Sequence, residues 1–178
     1  VFTDTPFAGN PLAIVFDADA LSDAQMQTIA REFNLSETIF VRGGEYAQHA
    51  ASVRIFTPTK ELPFAGHPTI GCAIALAERN HAKDGPRDLL LVLEERVGPV
   101  RCGVKLATDG ASFAEFTAPK LSTQAGGDPS IETAAKALGL SASDVGFDKH
   151  RPSLFSAGVP FAMVPVASLD ALARAHLI

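Results

Sequence analysis

The chain has 178 residues, 47% of them apolar and 20% charged, with a formal net charge of −5. That length allows one domain, or one domain and part of a second, and the composition is ordinary for a globular protein. The acidic balance leaves no basic footprint, which argues against nucleic acid or an anionic membrane surface as a partner. The apolar runs fall far short of the ~18 residues a membrane span needs. Cys72 and Cys102 both lie in apolar runs. They form neither a disulfide framework nor a metal-ligand spacing, and they read as buried thiols, which fits a reducing cytoplasm. The first residue is Val1, already in a strand-like pattern, so further residues are expected upstream.

Residues 1–10, VFTDTPFAGN, read as a short strand entering a turn-rich loop, with Pro6 and Gly9-Asn10 as breakers. The apolar run 11–16 reads as a buried strand. Residues 22–34 read as a helix: Ser22 is an N-cap and Gln25 completes a capping box. Met26, Ile29, Ala30 and Phe33 form its apolar stripe, and Asn34 ends it. A loop at Leu35 passes into a strand that ends at Val41. Gly43-Gly44 makes a turn, and 51–56 is the next strand.

Residues 54–80, RIFTPTKELPFAGHPTIGCAIALAERN, read as strand, loop and helix. Proline suits a first helical position, so the helix is expected over about 68–79. Residues 69–77 are apolar or small all round, and a helix without a polar face must be surrounded by protein. The rest of the chain is therefore expected to wrap around it. Its N-terminus carries free N–H groups and partial positive charge, which attract a carboxylate or phosphate. His67 stands at that end. After it come a polar turn at 84–87 and strands at 89–94, 98–105 and 112–116, mostly joined by hairpin-like turns.

The character changes near Ala118. Residues 119–129, PKLSTQAGGDP, resemble a linker. Residues 130–138 read as a helix ended by Gly139. Strands follow at 153–156 and 161–166 around the turn 157–160, and a helix begins with Ser168 as N-cap. Two helices and two apolar strands are too little for a strong core of their own.

Two residues stand out for chemistry. Glu37, at the entrance to an apolar strand, can donate or accept a proton, or it is a solvated strand-end residue. His67 can act as acid, base or hydrogen-bond donor, or it is a structural loop histidine. His49, His81, His150 and His176 read as surface residues. Asp128 reads as a turn or cap residue. No phosphate loop, dinucleotide fingerprint or nucleophile elbow occurs, and no lysine stands out as a Schiff-base former.

Together the segments FTDTPFAGNPLAIV, FNLSETIFV, RIFTPTKELPFAGHPTIGCAIAL and SAGVPFAMVPVASLDALARA resemble the phenazine-biosynthesis PhzF-like family, in its order and close to its spacing. The resemblance implies a diaminopimelate-epimerase-like α+β fold. Each of its two lobes is a curled sheet or barrel around a central helix, with the active site between them. It implies that Glu37 is the proton-transferring carboxylate and His67 the active-site histidine. It implies that Gly66 and the helix start, with Pro68, hold a substrate oxygen, and that Ser36 and Asn10 line the cleft. The phenazine-pathway member moves a proton between carbons of a dihydro-hydroxyanthranilate without a cofactor.

Two departures matter. Related cofactor-free racemases carry a cysteine where this chain has Gly66, and Cys72 lies too far along the helix to replace it. The family's second lobe carries an Asp-Pro-Ala-Thr-Gly-Ser segment, which residues 1–178 do not contain, and its role does not transfer to Asp128. The expectation is then a first lobe at 1–118, and at 119–178 a linker and the opening part of a second lobe. The expected function is a cofactor-free isomerase with no metal, acting on a small carboxylate-bearing substrate in the cytoplasm, with a homodimer as the candidate assembly. Two alternatives stay open: a cofactor-free amino-acid racemase or epimerase, and a non-catalytic binding protein that keeps the fold.

Overall fold

A computed structural model describes every residue except Ala82, Lys83 and Gly158. The chain divides into two units, Val1–Pro119 and Lys120–Ile178.

In the first unit, strand β1 (Ala13–Val15) leads to helix α1 (Asp23–Phe33). Both halves of the capping box form: Gln25 N donates to Ser22 Oγ at 3.4 Å, and Ser22 N donates to Gln25 Oε1 at 2.9 Å. Asn34 ends the helix in the left-handed conformation, φ 51°. Met26 and Ala30 are fully buried, but Phe33 is 48% exposed, because the packed face of α1 ends one turn earlier. Strands β2 (Thr38–Arg42), β3 (Ala51–Phe56) and the short β4 (Glu61–Leu62) follow. Then come helix α2 (Gly66–His81) and strands β5 (Arg87–Glu95), β6 (Gly98–Leu106) and β7 (Phe113–Phe116).

These strands form one sheet in the order β1-β2-β3-β5-β6-β7, with β4 on β3. The hairpin-like connections expected for most strands are found at β2–β3, β3–β4, β5–β6 and β6–β7, which are antiparallel. The β1–β2 and β3–β5 pairs are parallel, with α1 and α2 in the crossovers. Parallel neighbours need a crossover long enough to hold a helix, which is where both helices fall. The helices therefore cover opposite faces. Ile39, Val41, Val53 and Ile55 face the α2 side, whereas Phe40 and Phe56 pack with Met26 and Ala30. Phe40 and Phe56 meet edge to face with centroids 5.5 Å apart. Residues 38–41 are consequently buried on both sides, as a doubly covered strand must be.

Helix α2 buries Pro68, Thr69, Ile70, Cys72, Ala73, Leu76 and Ala77, against two buried residues in α1. It packs on β2, β5, β6 and β7. A Cβ added to Gly71 would lie 2.5 Å from Leu12 Cδ2 and 2.8 Å from Val1 Cγ2, so a larger residue there would push both side chains aside. Gly71, Ile74 and Ala75 remain half-buried, so the sheet curls around α2 without enclosing every side. The helix starts earlier than expected. Thr69 N donates to Ala65 O at 3.3 Å, which makes Pro68 the third helical residue. Its missing N–H still falls among the first-turn amides that have no intrahelical acceptor. Residues 1–10 form a loop and no strand. Thr5 N donates to Thr3 Oγ1 at 3.0 Å, a local bond that competes with a ladder, and Asn10 N closes the loop on Val1 O at 3.0 Å.

In the second unit, β8 (Thr123–Gln124), β9 (Ser153–Ser156) and β10 (Pro160–Met163) form an antiparallel sheet, order β10-β9-β8. Helix α3 (Ile131–Ala137) is capped by Ser130 and followed by Gly139 at φ 63°. Helix α4 (Leu169–Arg174) is capped by Ser168. The strand expected to reach Val166 stops at Met163, because Pro165 cannot donate and Val166 pairs with Val145. In the turn expected at 157–160, Gly158 lies outside the described residues. The Asp128 carboxylate accepts from Gln124 Nε2 and Leu154 N, both at 2.8 Å, and so ties β8 to β9. Among the described residues no helix is long and apolar enough to cross a membrane.

Candidate active site

The N-terminus of α2 lies at the end of the sheet where β2 begins and β3 ends, since Thr38 pairs with Phe56. Glu37 immediately precedes β2, and His67 is the second residue of α2. The two side chains meet there: Glu37 Oε2 and His67 Nδ1 are 2.9 Å apart, with the imidazole 10% and the carboxylate 21% exposed. With Glu37 ionised, Nδ1–H donates to it; with Glu37 protonated, Glu37 donates to Nδ1. The far nitrogen, His67 Nε2, is buried and has no hydrogen-bond partner among the described residues, and Thr38 Oγ1 is in the same state. Such atoms cost free energy unless something pairs with them. The pair thus combines a proton carrier, an unpartnered imidazole nitrogen and the positive end of a helix dipole.

Bracing holds this geometry. Arg54 on β3 donates through Nε and Nη2 to Glu61 and through Nη1 to Asp23 at 3.0 Å, and Arg96 donates to Glu61 at 2.7 Å. Burial alone would raise the Glu61 carboxyl, but the hydrogen bonds from the two guanidiniums outweigh it and hold it below its ordinary value. Val97 N donates to Pro63 O at 3.0 Å, fastening the β5–β6 turn to the segment entering α2. Behind the helix start, the buried Thr69 Oγ1 lies 2.7 Å from both Ala65 O and Glu95 Oε1. Burial pushes Glu95 up to about 7. Burial also pushes the Cys102 thiol up to about 12 and raises that of Cys72.

The remaining residues named from the sequence take different places. Gly66 opens α2, and a Cβ there would lie 3.2 Å from Phe116 Cζ. Ser36 is exposed beside Glu37. Asn10 is exposed and lines a surface hollow with Asp4, Phe7 and Leu12. Pro68 is fully buried in the first turn of α2. The sequence reading overlooked Phe2, whose ring lies 6.0 Å from that of His67, and the Thr69–Glu95 pair. The alternation Leu89, Leu91, Leu93, Glu95 along β5 was a signal for the latter, because a residue in phase with three inward leucines points inward too. Among the described residues no group of three or more His, Cys, Asp or Glu side chains converges as a metal site.

A curled mixed sheet around a small-residue helix is the α+β architecture of the diaminopimelate-epimerase-like class of fold. Within that class, the chain belongs to the PhzC-PhzF family of phenazine biosynthesis-like proteins, whose family model matches residues 1–177. It is 49% identical to an uncharacterised isomerase of Mesorhizobium japonicum over 177 residues, 99% of this chain and 57% of that protein. It is 39% identical to trans-2,3-dihydro-3-hydroxyanthranilate isomerase of Pseudomonas fluorescens over 98% of this chain and 58% of that protein. The solved structure of a predicted epimerase from Pseudomonas aeruginosa superposes with a TM-score of 0.84 at 35% identity, covering 100% of this chain and 61% of the other. The chain thus spans about three-fifths of the length of these relatives.

Proposed function

We propose that the protein is a cofactor-free isomerase that moves a proton between carbons of a small, unsaturated, carboxylate-bearing substrate. Glu37 takes the proton from one carbon and returns it to another, so no atom is gained or lost. While the proton is on Glu37, negative charge spreads over the conjugated system. The α2 amides and His67 then stabilise that charge, as preorganised donors do wherever charge develops. The observation that carries this reading is the 2.9 Å contact between Glu37 and His67 at the start of α2. The isomerase names of the relatives support it. We include the homodimer, the cytoplasmic setting and the reading of 119–178 as the opening of a second lobe in the proposal.

A thiol-based racemase fits less well. Cys72 is fully buried with its thiol held protonated, and a side chain at Gly66 would crowd Phe116. The test uses Glu37→Gln in the intact protein, which keeps the shape and removes the proton carrier. With trans-2,3-dihydro-3-hydroxyanthranilate as first substrate, turnover is expected to fall by ~10²-fold or more with binding largely intact. His67→Ala is expected to weaken both. Deuterium uptake at the α-carbon of amino acids would instead mark a racemase. Near-normal turnover by Glu37→Gln would sink the assignment, and binding without turnover in the parent protein would favour a non-catalytic role.

A further inference from the structure

Glu95, the last residue of β5, is a buried carboxyl that the mechanism above leaves unused. Its Oε1 lies 2.7 Å from Thr69 Oγ1, which lies 2.7 Å from Ala65 O, while its Oε2 is buried without a partner. A threonine hydroxyl has one proton to donate, and a backbone carbonyl only accepts. If Thr69 donates to Ala65, its contact with Glu95 needs a proton on Oε1, which then donates to Thr69. If Glu95 is ionised, Thr69 must turn its proton towards the carboxylate, and Ala65 O keeps only the longer bond from Thr69 N at 3.3 Å. Ionisation would also leave a charged oxygen buried and unpaired, which is costly. The protonation state of Glu95 therefore sets the direction of the chain of hydrogen bonds. That chain ends on the residue before Gly66 and His67.

We propose that Glu95 is a positioning residue: as the neutral acid it donates to Thr69, Thr69 donates to the Ala65 carbonyl, and these two bonds fix the turn that presents the Gly66 amide and the His67 imidazole. What the turn is for rests on the proposed function; the coupling itself does not. Burial lifts Glu95 to about 7, so the switch falls near neutral pH. The titratable groups facing it are Cys72 on α2 and Cys102 on β6, whose thiols stay protonated throughout that range. Arg96, its neighbour in sequence, is turned to Glu61 at 2.7 Å. Glu37 and His67 are the other titratable groups at this end of the helix.

The test is a pH titration of the intact protein by nuclear magnetic resonance, reading the Gly66 amide, the His67 ring and the Glu95 side-chain carboxyl carbon. The Gly66 amide is expected to shift with an inflection that coincides with that of the Glu95 carbon, about 7, beside any that it shares with the His67 ring. In Glu95→Gln the inflection shared with the Glu95 carbon is expected to vanish from the Gly66 amide, because the glutamine amide donates to Thr69 as the acid does. In Thr69→Val the Glu95 carbon should still titrate while the Gly66 amide no longer follows it. A Gly66 inflection at the Glu95 midpoint that survives Glu95→Gln, or that disappears in Glu37→Gln or His67→Ala instead, overturns the proposal. If Glu95→Gln does not fold, the wild-type carbon decides: a Glu95 titrating at its ordinary 4.5 also overturns it. No substrate is needed, so failure here is distinct from failure of the proposed reaction.

Discussion

The two units are built from similar local signals and held together differently. In the first, sixteen buried residues among those described cluster on the α2 side of the sheet and five on the α1 side. In the second, the buried cluster is Ala134, Ala135 and Val145. Its strand β10 is exposed along its length, with Phe161 at 63% and Met163 at 56%. Yet its helices are capped as well as α1 of the first unit: Ser130 and Ser168 each accept an N-cap hydrogen bond at 3.1 Å. Caps and turns thus decide where an element starts and stops, while burial decides how strongly it is held. The first unit has both, and the second depends more on local bonds.

The strongest way to break this comparison is to truncate one phenylalanine in each unit. Phe40 is fully buried between α1 and the sheet. Phe40→Ala is expected to cost about 3–5 kcal/mol, the transfer of the ring plus the cavity left behind. Phe161→Ala is expected to change stability by no more than about 0.5 kcal/mol, as exposed substitutions do. Denaturant unfolding of the intact protein reads both. A cost at Phe161 comparable to that at Phe40 would mean that Phe161 is covered in the intact protein.

What was legible in the sequence follows the same division. The bounds of α1, β3 and α3 came within a residue, because Ser22, Gln25, Asn34, Ser130 and Gly139 are local signals with local causes. The small-residue run of α2 announced a buried helix. The parallel pairing of β1 with β2 and of β3 with β5 was not legible, because register between distant strands leaves no mark in either strand alone. At the site, Glu37 and His67 were visible as residue types in a family pattern. Their contact joins positions thirty apart, and only the folded sheet brings them together. Thr69 was hidden within an apolar helix run, whereas Glu95 left its mark only in the phase of the inward leucines of β5, in a charged strand end.

Glu95 gives a second, smaller contrast. Its carboxyl has an ordinary value of 4.5 and rises to about 7 on burial. Between those values the folded protein keeps a proton that the unfolded chain has released, so stability falls as pH rises through that window. Each pH unit across the window removes about 1.4 kcal/mol, so the whole loss is on the order of 3 kcal/mol. Glu95→Gln is expected to remove this slope and to be the more stable form above neutral pH. Asp144, the acid held by Ser141 and Arg174 in the second unit, is partly exposed and has its carboxyl lowered by those hydrogen bonds, so removing it should leave the slope between mildly acid and neutral pH in place. Equal slopes in wild type and Glu95→Gln would show that another group carries the dependence.

The smallest expected effect separates the units most finely, because it removes the same kind of bond from each. Ser22→Ala and Ser130→Ala each delete an N-cap acceptor, a loss of about 1 kcal/mol, or roughly fivefold in a local equilibrium. In the first unit, α1 lies on Phe40 and Phe56, so the loss should spread. Amides of β2 and β3 are expected to exchange faster along with those of α1, because these elements open together. In the second unit, α3 has seven residues, buries its own Ala134 and Ala135, and shares its cluster with Val145. There the roughly fivefold rise in exchange should stay within α3, leaving β9 unchanged. Exchange that accelerates across β9 as well would show that the second unit opens as one body, and the contrast between the units would then be one of size and not of cooperativity.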